Sequence, residues 1–534
     1  MYYGQFATNG GIINKSHGRM FYVNLQQLLN WSRTFAGVHN VGVLLGHENY
    51  VAKSTSLGAS KSQLFSMDND ELNGAVVDGK SSSSSRSEYN SEGYFVRAQY
   101  DYMNKIFVSA SYRRDASSRF HPDHRWGNFW SVGGGWILNQ ESWFPRAPWI
   151  DMLKLKASVG SQGNDSIGSY LYTDTFYLSN NNGLPSLAFG VKGNEDITWE
   201  TNTNMNAGVD FDFLRGRVTG SFEYFYRMTS DMLFWFTVPA SLGYGGYYDN
   251  IGDMRNHGIE FSTNVNIMRR RNLDWNAYFN FTHYTNKITM LPEERKTRTV
   301  EGYEGYASGT RFYGEGLPFN TFYLQKFAGV DRETGESLWY KDELDADGNV
   351  IGRTTTATYS EATQYLCDDP TPKLYGGFGT SLDFHGFDIS AAFTYSIGGL
   401  TYDSGYAGYM GSPLPSSAGS NFHKDILNAW TPDNKDSNIP RFQYQDQYSA
   451  ATSDRFLVDA SYLNFQNAQI GYTFPERVVR KLHLSKLRVY AACDNIIYWS
   501  YRQGLDPRQS FSGSTSNAMN SPVRTISGGL NITF

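Results

Sequence analysis

The side chains that could do chemistry in this sequence do not form a catalytic or metal-binding pattern. The nucleophile, phosphate-binding and dinucleotide-binding motifs GxSxG, GxxxxGKS/T and GxGxxG do not occur in a usable context. The ten His residues show no HExxH spacing, and Cys367 and Cys493 are too far apart in the sequence to suggest a metal-binding pair. The sequence therefore predicts no catalytic residue, no metal site and no cofactor.

One acidic segment, Asp342–Gly352, has the composition of a calcium-binding loop. An EF-hand loop places glycine at its sixth position and a bidentate Glu at its twelfth. If Gly348 is taken as the sixth residue, the first ligand is Glu343 and the twelfth residue is Thr354, so the pattern fails. The segment instead favours a tight Asp-Gly turn.

Aromatic side chains in one long predicted loop, Gly398–Ser461, are the best candidates for ligand contact. Rings can stack on a ligand, and long loops on a rigid scaffold often carry binding residues. The alternative is that these rings pack the core of the loop or lie in an aromatic girdle at a membrane interface, and the sequence leaves both open. The candidate positions are Tyr402, Tyr406, Tyr409, Trp430, Tyr444 and Tyr448.

The composition of the 534 residues excludes several classes of protein that could position these side chains. Aromatic residues make up 16% and the formal net charge is only −6, which argues against disorder. No apolar run reaches the roughly 18 residues of a membrane-spanning helix, and two Cys cannot stabilise so long a chain by disulfides. The acidic balance offers no basic face for nucleic acid. Many aromatics, 53 Gly and few charges favour one large β-structure.

Alternation of apolar and polar residues with a period of two predicts half-exposed β-strands. One face of ten predicted strands carries no charged residue, although 18% of the chain is charged, and the opposite face carries Asp, Glu and Arg. This contrast favours an antiparallel transmembrane β-barrel of about 16 strands, because charges facing lipid are costly. A soluble β-protein is the alternative. The clearest hairpins join Tyr94–Tyr102 to Ile106–Tyr112, Met205–Phe213 to Val218–Tyr226, Ile259–Ile267 to Leu273–Phe281, and Phe378–Phe384 to Ile389–Tyr395, and Ile526–Phe534 is the last predicted strand.

The lengths of the predicted connections also favour an outer-membrane barrel, in which short periplasmic turns alternate with long outer loops. A hairpin around Asp331–Gly335 is expected because it keeps the number of strands even in that region. The polar stretch Ser81–Arg86 is expected in an outer loop. The short turns are Met103–Lys105, Leu214–Arg217, Met268–Asn272 and His385–Asp388, and the long segments are Val51–Gly93, Gly163–Asn204, Gly398–Ser461 and Trp499–Ser521.

The same strands carry a family resemblance that extends over almost the full chain. The chain resembles the C-terminal barrel part of SusC/RagA-type TonB-dependent transporters of the Gram-negative outer membrane. No single motif decides this, but their number and order do. The matching segments include YFVRAQYDYMNKIFVSASYRRDASSRF (Tyr94–Phe120), RWGNFWSVGGGWILNQESWF (Arg125–Phe144), NIGDMRNHGIEFSTNV (Asn250–Val265), DASYLNFQNAQIGYTFP (Asp459–Pro475) and LRVYAACDNIIYWSYRQGLDPR (Leu487–Arg508).

The resemblance implies a protein that imports a glycan or peptide across the outer membrane with energy from TonB. Its implied partners are outer-membrane lipid, a SusD-like surface lipoprotein that acts as a lid, TonB, and the oligosaccharide or peptide itself. The aromatic loop residues above become candidate ligand or lid contacts. The terminal GGLNITF resembles a barrel-assembly signal, with Leu530, Ile532 and Phe534 as its apolar positions.

The sequence departs from the family pattern in one large respect. Family members are about twice this length and begin with a signal peptide, an N-terminal extension, a TonB-contacting segment and a plug domain, and the barrel resembles the plugged 22-stranded transporters. None of these N-terminal parts is visible, so residues 1–534 are expected to form the C-terminal portion of the receptor barrel domain, as a truncated product. A passive pore, a non-functional barrel fragment and an outer-membrane barrel hydrolase remain the alternatives.

Overall fold

The computed structural model describes residues 10–66, 68–414, 419–515 and 522–534, and the regular secondary structure of these residues is almost entirely β. Two short helices, α1 (Ser404–Tyr409) and α2 (Glu476–Val479), interrupt the strands. The first strands are β1 (Ile12–Phe35), β2 (His39–Leu64), β3 (Ala75–Tyr102), β4 (Ile106–Ser117), β5 (Trp126–Ile137), β6 (Ile150–Asn164), β7 (Phe176–Asn181), β8 (Leu184–Phe189), β9 (Glu200–Phe213), β10 (Val218–Ser230), β11 (Leu233–Thr237), β12 (Gly246–Asn250), β13 (Asp253–Arg270) and β14 (Leu273–Met290). They are followed by β15 (Arg298–Val300), β16 (Tyr303–Ser308), β17 (Arg311–Gly314), β18 (Thr321–Gln325), β19 (Phe327–Val330), β20 (Ser337–Leu344), β21 (Val350–Thr356), β22 (Gln364–Cys367), β23 (Leu374–Phe384), β24 (Phe387–Ile397), β25 (Leu400–Tyr402), β26 (Leu457–Asp459), β27 (Tyr462–Thr473), β28 (Lys486–Ser500) and β29 (Thr525–Thr533).

The largest sheet of the described residues contains fifteen strands, close to the predicted sixteen. Their order is β1-β2-β3-β4-β5-β6-β9-β10-β13-β14-β23-β24-β27-β28-β29, so that each strand lies beside the next large strand of the chain. The fold divides into two compact units. One consists of residues up to Gly135 with Ser158–Asn204 and Thr229–Ile251, and the other of Trp136–Ala157, Met205–Met228 and Gly252–Phe534.

The four predicted hairpins are confirmed, and their turns have the backbone that tight antiparallel connections require. Two-residue hairpin turns favour positive φ at both central positions, because this twist matches that of the strands. His385 and Gly386 meet the requirement with φ of 51° and 91°, and they join Phe384 to Phe387. Met103 and Asn104 both have φ of 54°. The strands run further into the turns than predicted, since Arg270 already pairs with Leu273.

The segment Val51–Gly93, which was expected to be a long outer loop, is mostly strand. β2 and β3 pair as far as Leu64 and Ala75, and the Ser-rich stretch up to Arg86 pairs with β2. Cross-strand pairs of opposite charge support this extension: Lys53 lies opposite Glu88 and Lys61 opposite Asp78, with nitrogen-to-oxygen distances of 3.8 and 3.2 Å. A two-stranded β-ribbon that extends into water, such as this part of β2 and β3, needs backbone pairing but no apolar face. Its sequence therefore lacks the alternation of apolar and polar residues that identifies a membrane strand.

The hairpin predicted around Asp331–Gly335 is present but is not part of the large sheet. It connects β19 to β20 in a separate three-stranded sheet with β21. β14 therefore pairs directly with β23, and the whole intervening stretch is one long connection. This insertion adds no strand to the large sheet, so the number of large-sheet strands remains even here. The strand directions predicted on either side of the insertion are therefore unchanged.

The apolar face predicted from the alternation is not buried under a second sheet. Ile526 is 78% exposed and Leu530 is 56% exposed. Along β13, Phe261, Thr263 and Val265 are half-buried by their neighbours on the same face. A soluble sandwich would bury these positions, whereas a lipid-facing surface leaves them open.

Stacked rings fill much of this apolar face across neighbouring strands, and together they form an aromatic row. Phe279, Phe378, Phe393 and Phe465 are successive partners on β14, β23, β24 and β27. The ring centroids of Phe378 and Phe393 are 4.9 Å apart, and those of Phe393 and Phe465 are 4.4 Å apart. The row is continuous apolar surface without charge.

The opposite face of the sheet carries charged side chains that are paired with one another. Lys156 Nζ lies 2.9 Å from both Asp210 Oδ1 and Glu223 Oε2. Arg488 contacts Asp388 at 2.5 Å, and both side chains are mostly buried among their neighbours. This face is polar and electrically compensated, as expected for the wet side of a barrel sheet. Among the described residues, no helix combines the length and apolar character that a membrane-crossing helix requires.

Replacement of one apolar-face residue by arginine should prevent stable insertion, whereas its neighbour should tolerate the same change. Phe261→Arg places a charge near the middle of β13 on the lipid side, which costs roughly 2–4 kcal/mol at the bilayer midplane. Ser262 is exposed on the polar face, so Ser262→Arg should leave stability nearly unchanged. Urea titration of the protein in phosphocholine vesicles measures both. Phe261→Ala separates the loss of ring packing from the charge, and equal effects of the two arginine variants would contradict the assignment of faces.

Candidate functional site

Three long connections of the second unit fold into ordered structure beside the strands they join. They link β14 to β23, β24 to β27 and β28 to β29, and the described residues of 291–373, 398–461 and 501–515 are called the loop lobe. The lobe contains a five-stranded sheet, a three-stranded sheet and the short pair β25–β26. Two clusters of buried apolar residues lie within it, one around Phe312 and Tyr323 and the other around Met410 and Phe456. Connections with their own cores can hold side chains in fixed positions.

Arginine side chains join the three connections to one another. Arg311 is 8% exposed and bonds two backbone carbonyls, that of Asn320 at 2.8 Å and that of Ser512 in another connection. Its guanidinium also lies 3.5 Å from the centre of the Phe322 ring. Burial lowers the pKa of Arg311 to about 10, so the group still carries its charge near neutral pH. The fork shape of guanidinium suits such double contacts.

A second arginine, Arg455, links the middle connection to the first. Its Nη1 donates to the Ser449 carbonyl at 2.9 Å, and its guanidinium lies about 5 Å from the rings of Phe327 and Phe456. Burial lowers its pKa to about 10. The adjacent carboxylate of Asp454 accepts from the Phe327 backbone N–H at 2.8 Å, which adds a hydrogen bond between the same two connections.

The third link is an ion pair between Asp403 and Arg502. Asp403 is 3% exposed, and Arg502 Nη2 lies 2.5 Å from its Oδ2. Asp403 also caps α1 by accepting from the Tyr406 N–H at 3.0 Å. The Arg502 guanidinium lies 4.8 Å from the centre of the Tyr406 ring. One pair thus fixes both the helix and the start of the third connection.

The six aromatic residues predicted as contacts fall into separate surroundings. Tyr402 and Tyr406 pack on Phe456, with ring centroids 6.3 and 6.2 Å from it, and belong to the core of the lobe. The Tyr406 hydroxyl donates to Asp425 Oδ2 at 2.8 Å, and burial followed by this bond raises its pKa to about 12. For these two residues the geometry favours the packing alternative.

The other four candidates lie nearer the surface. Trp430 donates from Nε1 to the Arg332 carbonyl at 3.1 Å and covers Gly335, where an added Cβ would meet its ring. Tyr409 and Tyr444 are 43% and 60% exposed. Only Tyr448 lies in an aromatic group with an open side, and its ring stacks on another ring at 5.7 Å.

Sequence reasoning missed the two partners of Tyr448, which come from the first connection. They are Trp339 and Tyr359, whose centroids lie 5.1 Å apart in an edge-to-face contact. One sequence pattern could have drawn attention to the surroundings of Tyr448. Gln and aromatic residues alternate in Phe442–Tyr448 with the period of two that is typical of an extended segment.

The described residues contain no group of three or more His, Cys, Asp or Glu side chains that could hold a metal ion. The acidic segment forms the predicted tight turn, in which the Asp345 carboxylate accepts from the Asn349 and Asp347 N–H groups at 2.8 and 3.0 Å. The other oxygen of the same carboxylate, Oδ2, accepts from the Asn349 side-chain amide at 3.1 Å. Both cysteines are free thiols.

Most of the chain matches a known protein family. The family model described as TonB dependent receptor-like, beta-barrel, matches residues 2–496. The chain belongs to this family. It is an outer-membrane receptor barrel of the SusC/RagA type, and the relatives it matches are receptors and transporters and not enzymes.

The receptor is similar to several characterised sequences and structures. It is 26% identical to TonB-dependent receptor P3 of Formosa agariphila over 95% of this chain and 52% of that protein. It is 26% identical to TonB-dependent receptor SusC of Bacteroides thetaiotaomicron over 78% of this chain and 41% of that protein. A solved structure of the RagAB peptide transporter superposes with a TM-score of 0.84 at 25% identity, covering 98% of this chain and 56% of the other. The receptor chain thus spans about half the length of the relatives it matches.

Asp403→Asn should loosen the loop lobe without unfolding the sheet. The substitution keeps a capping oxygen but removes the charge that pairs with Arg502, and a lost hydrogen bond to a charged group costs roughly 1.5–3 kcal/mol. Local opening should rise accordingly, and limited proteolysis of the purified receptor in detergent should cut the lobe faster. The matched control is Asp436→Asn, which breaks an exposed pair with Arg332 and should change little. Equal cleavage of both variants would show that the buried pair does not hold the lobe.

Cys367 should react slowly with iodoacetamide in the folded receptor. It lies on β22 in the loop lobe, and burial raises the pKa of its thiol to about 11. Because the thiolate is the nucleophile, alkylation at pH 8 should be roughly ten- to a hundredfold slower than for an ordinary cysteine. Mass spectrometry of a Cys493→Ser variant measures the rate, with urea-denatured protein as the control. Reaction at the denatured rate would mean that the lobe is not packed around this strand.

Proposed function

We propose that this receptor imports oligomeric nutrients, either glycans or peptides, across the outer membrane with energy delivered by TonB. A SusD-like surface lipoprotein would cover its outer side as a lid. The observation that carries this proposal is the match of nearly the whole chain, in sequence and in fold, to SusC-type receptors and to the barrel of a peptide transporter.

The two faces of the large sheet support a transport role. The apolar face, with the aromatic row and the exposed Ile526 and Leu530, suits contact with lipid. The opposite face offers charged and amide groups in compensated networks, for example Asn266, which donates to Asp274 at 2.6 Å, while Asn276 donates to the same carboxylate at 2.9 Å. A surface of this kind stays hydrated without strongly retaining a passing solute.

The loop lobe supports a role in ligand or lid contact. Its aromatic and amide side chains are held by arginine links that require no ligand, so its surface is preformed. The lobe belongs to the connections that outer-membrane barrels place on the cell surface. Of the six predicted contacts, we retain Tyr409, Trp430, Tyr444 and Tyr448 as candidates for this surface.

Coupling to TonB is the part of the proposal that depends most on the family. In this class of receptor the TonB contact belongs to a plug segment, and the matches to TonB-dependent receptor P3 and to SusC cover 52% and 41% of those proteins. We also retain Leu530, Ile532 and Phe534 as the proposed assembly signal. Leu530 and Ile532 lie on one face of β29, opposite Val489 and Leu487.

Deletion of the gene should abolish energy-dependent uptake of one class of oligomer. Cells would be supplied with labelled neutral oligosaccharides or labelled oligopeptides, and uptake would be measured before and after deletion, with the wild-type gene restored as the control. A protonophore should reduce uptake in wild-type cells to the level of the deletion strain. Uptake that persists after deletion would refute the proposal.

Swelling of proteoliposomes distinguishes TonB-dependent transport from the alternative of a passive pore. A receptor that transports only with TonB should admit oligosaccharides no faster than protein-free vesicles. Rapid, size-limited swelling together with protonophore-resistant uptake in cells would instead establish a passive pore.

A further inference from the structure

A small cleft on the loop lobe combines an aromatic wall with unpaired polar groups. Its volume is about 260 Å³, slightly below the roughly 300 Å³ at which pockets for drug-sized ligands begin. This size suits a single ring of a longer ligand. Its lining includes Ser337 and Trp339 of β20 and Arg441, Gln443, Gln447 and Tyr448 of the middle connection.

The aromatic wall is a tyrosine ring supported by two other rings. Tyr448 is 46% exposed and lines the cleft. Tyr359 stacks on it with an interplanar angle of 24°, and Trp339 meets both rings edge-on. The Tyr359 hydroxyl is fixed by donation to the Thr452 carbonyl at 2.6 Å. A ring held in this way can offer its open side to the apolar C–H face of a ligand at little entropic cost.

Three buried polar atoms of the cleft have no hydrogen-bond partner among the described residues. They are Ser337 Oγ, Trp339 Nε1 and Arg441 Nε. Ser337 is 5% exposed and Trp339 is 1% exposed. Native proteins pair nearly all buried polar groups, so three unpaired atoms beneath one cleft mark a region whose polar groups the described residues do not satisfy by themselves.

The remaining groups of the cleft show which ligand is favoured. Gln443, Gln445 and Gln447 are exposed along its rim, and the structure gives their amide groups no partner among the described residues. An amide both donates and accepts, which suits hydroxyl groups. Arg441 and Glu336 compensate each other, since Arg441 Nη2 donates to Glu336 Oε1 at 2.8 Å, and the Asp446 carboxylate accepts from the Tyr448 backbone N–H at 2.9 Å. The cleft therefore offers mostly neutral groups to a ligand.

We propose that this cleft binds one ring of a neutral oligosaccharide, with the ring stacked on Tyr448 and its hydroxyl groups bonded by the glutamine amides. The inference rests on the proposed function and narrows it, because it assigns the receptor a glycan and not a peptide. An acidic peptide would find no free cation in the cleft, because Arg441 is paired with Glu336, and any peptide would find only one open aromatic face.

Calorimetry on the full-length receptor, solubilised from outer membranes, tests the site. The probes are cello-, malto-, manno- and xylotetraose, and at least one should bind. Tyr448→Ala should weaken that binding about tenfold or more, which is the expected effect of losing one stacked ring and its rim contacts. The matched control is Tyr501→Ala, a tyrosine of the loop lobe that is 67% exposed and does not line the cleft, and the affinity of this variant should stay within about twofold of wild type.

A second variant protects the test against misfolding. Gln443→Ala combined with Gln447→Ala alters only exposed amides and should also weaken binding, while the heat-dependent gel mobility of the folded barrel remains unchanged. Absence of binding by all four tetrasaccharides, equal affinity of wild type and Tyr448→Ala, or binding of a charged oligopeptide in competition with the sugar would overturn the proposal. Because binding is measured without transport, lost binding with intact energy-dependent uptake refutes only the cleft, and intact binding with no uptake refutes the transport function.

Discussion

Hydrogen bonding between neighbouring antiparallel strands is the interaction on which the rest of this receptor depends. Hydrocarbon offers a backbone N–H or C=O group no partner, so a strand that crosses it must be paired along its whole length. Pairing requires an extended backbone, and an extended backbone sends successive side chains to opposite faces. The separation of the aromatic row from the paired charges of Lys156 and Arg488 follows from that geometry.

Electrostatic compensation is the corresponding constraint on the polar side, and it takes two forms. On the large sheet, a cation lies between carboxylates of adjacent strands, as Lys156 does between Asp210 and Glu223. In the loop lobe, Arg311 and Arg455 instead bond backbone carbonyls and lie against rings. The second form suits loops, which leave carbonyl groups unpaired by any ladder. Arginine can thus replace the missing strand pairing and hold irregular segments together.

The sequence predicted the strands well and the connections poorly, for the same physical reason. The strand Ile259–Ile267 is recognisable because lipid demands an apolar residue at every second position. The ribbon that contains Arg86 lies under no such demand, and its pairing is supported by contacts such as Lys53 with Glu88 that depend on register. The hairpin at Asp331–Gly335 was recognised from its turn residues, but its place outside the large sheet depends on tertiary contacts that a local pattern does not contain.

The candidate site shows the same limit at the level of single side chains. Tyr402, Tyr406 and Tyr448 are the same residue type in one connection, and the sequence treats them alike. Phe456 buries the first two, whereas Trp339 and Tyr359 support the third from another connection and leave one side open. The difference arises only when the connections are brought together, which the arginine links achieve without a ligand. A binding surface built in this way need not become ordered when its ligand arrives, so the affinity of the cleft should depend on the few groups that line it and not on folding of the lobe.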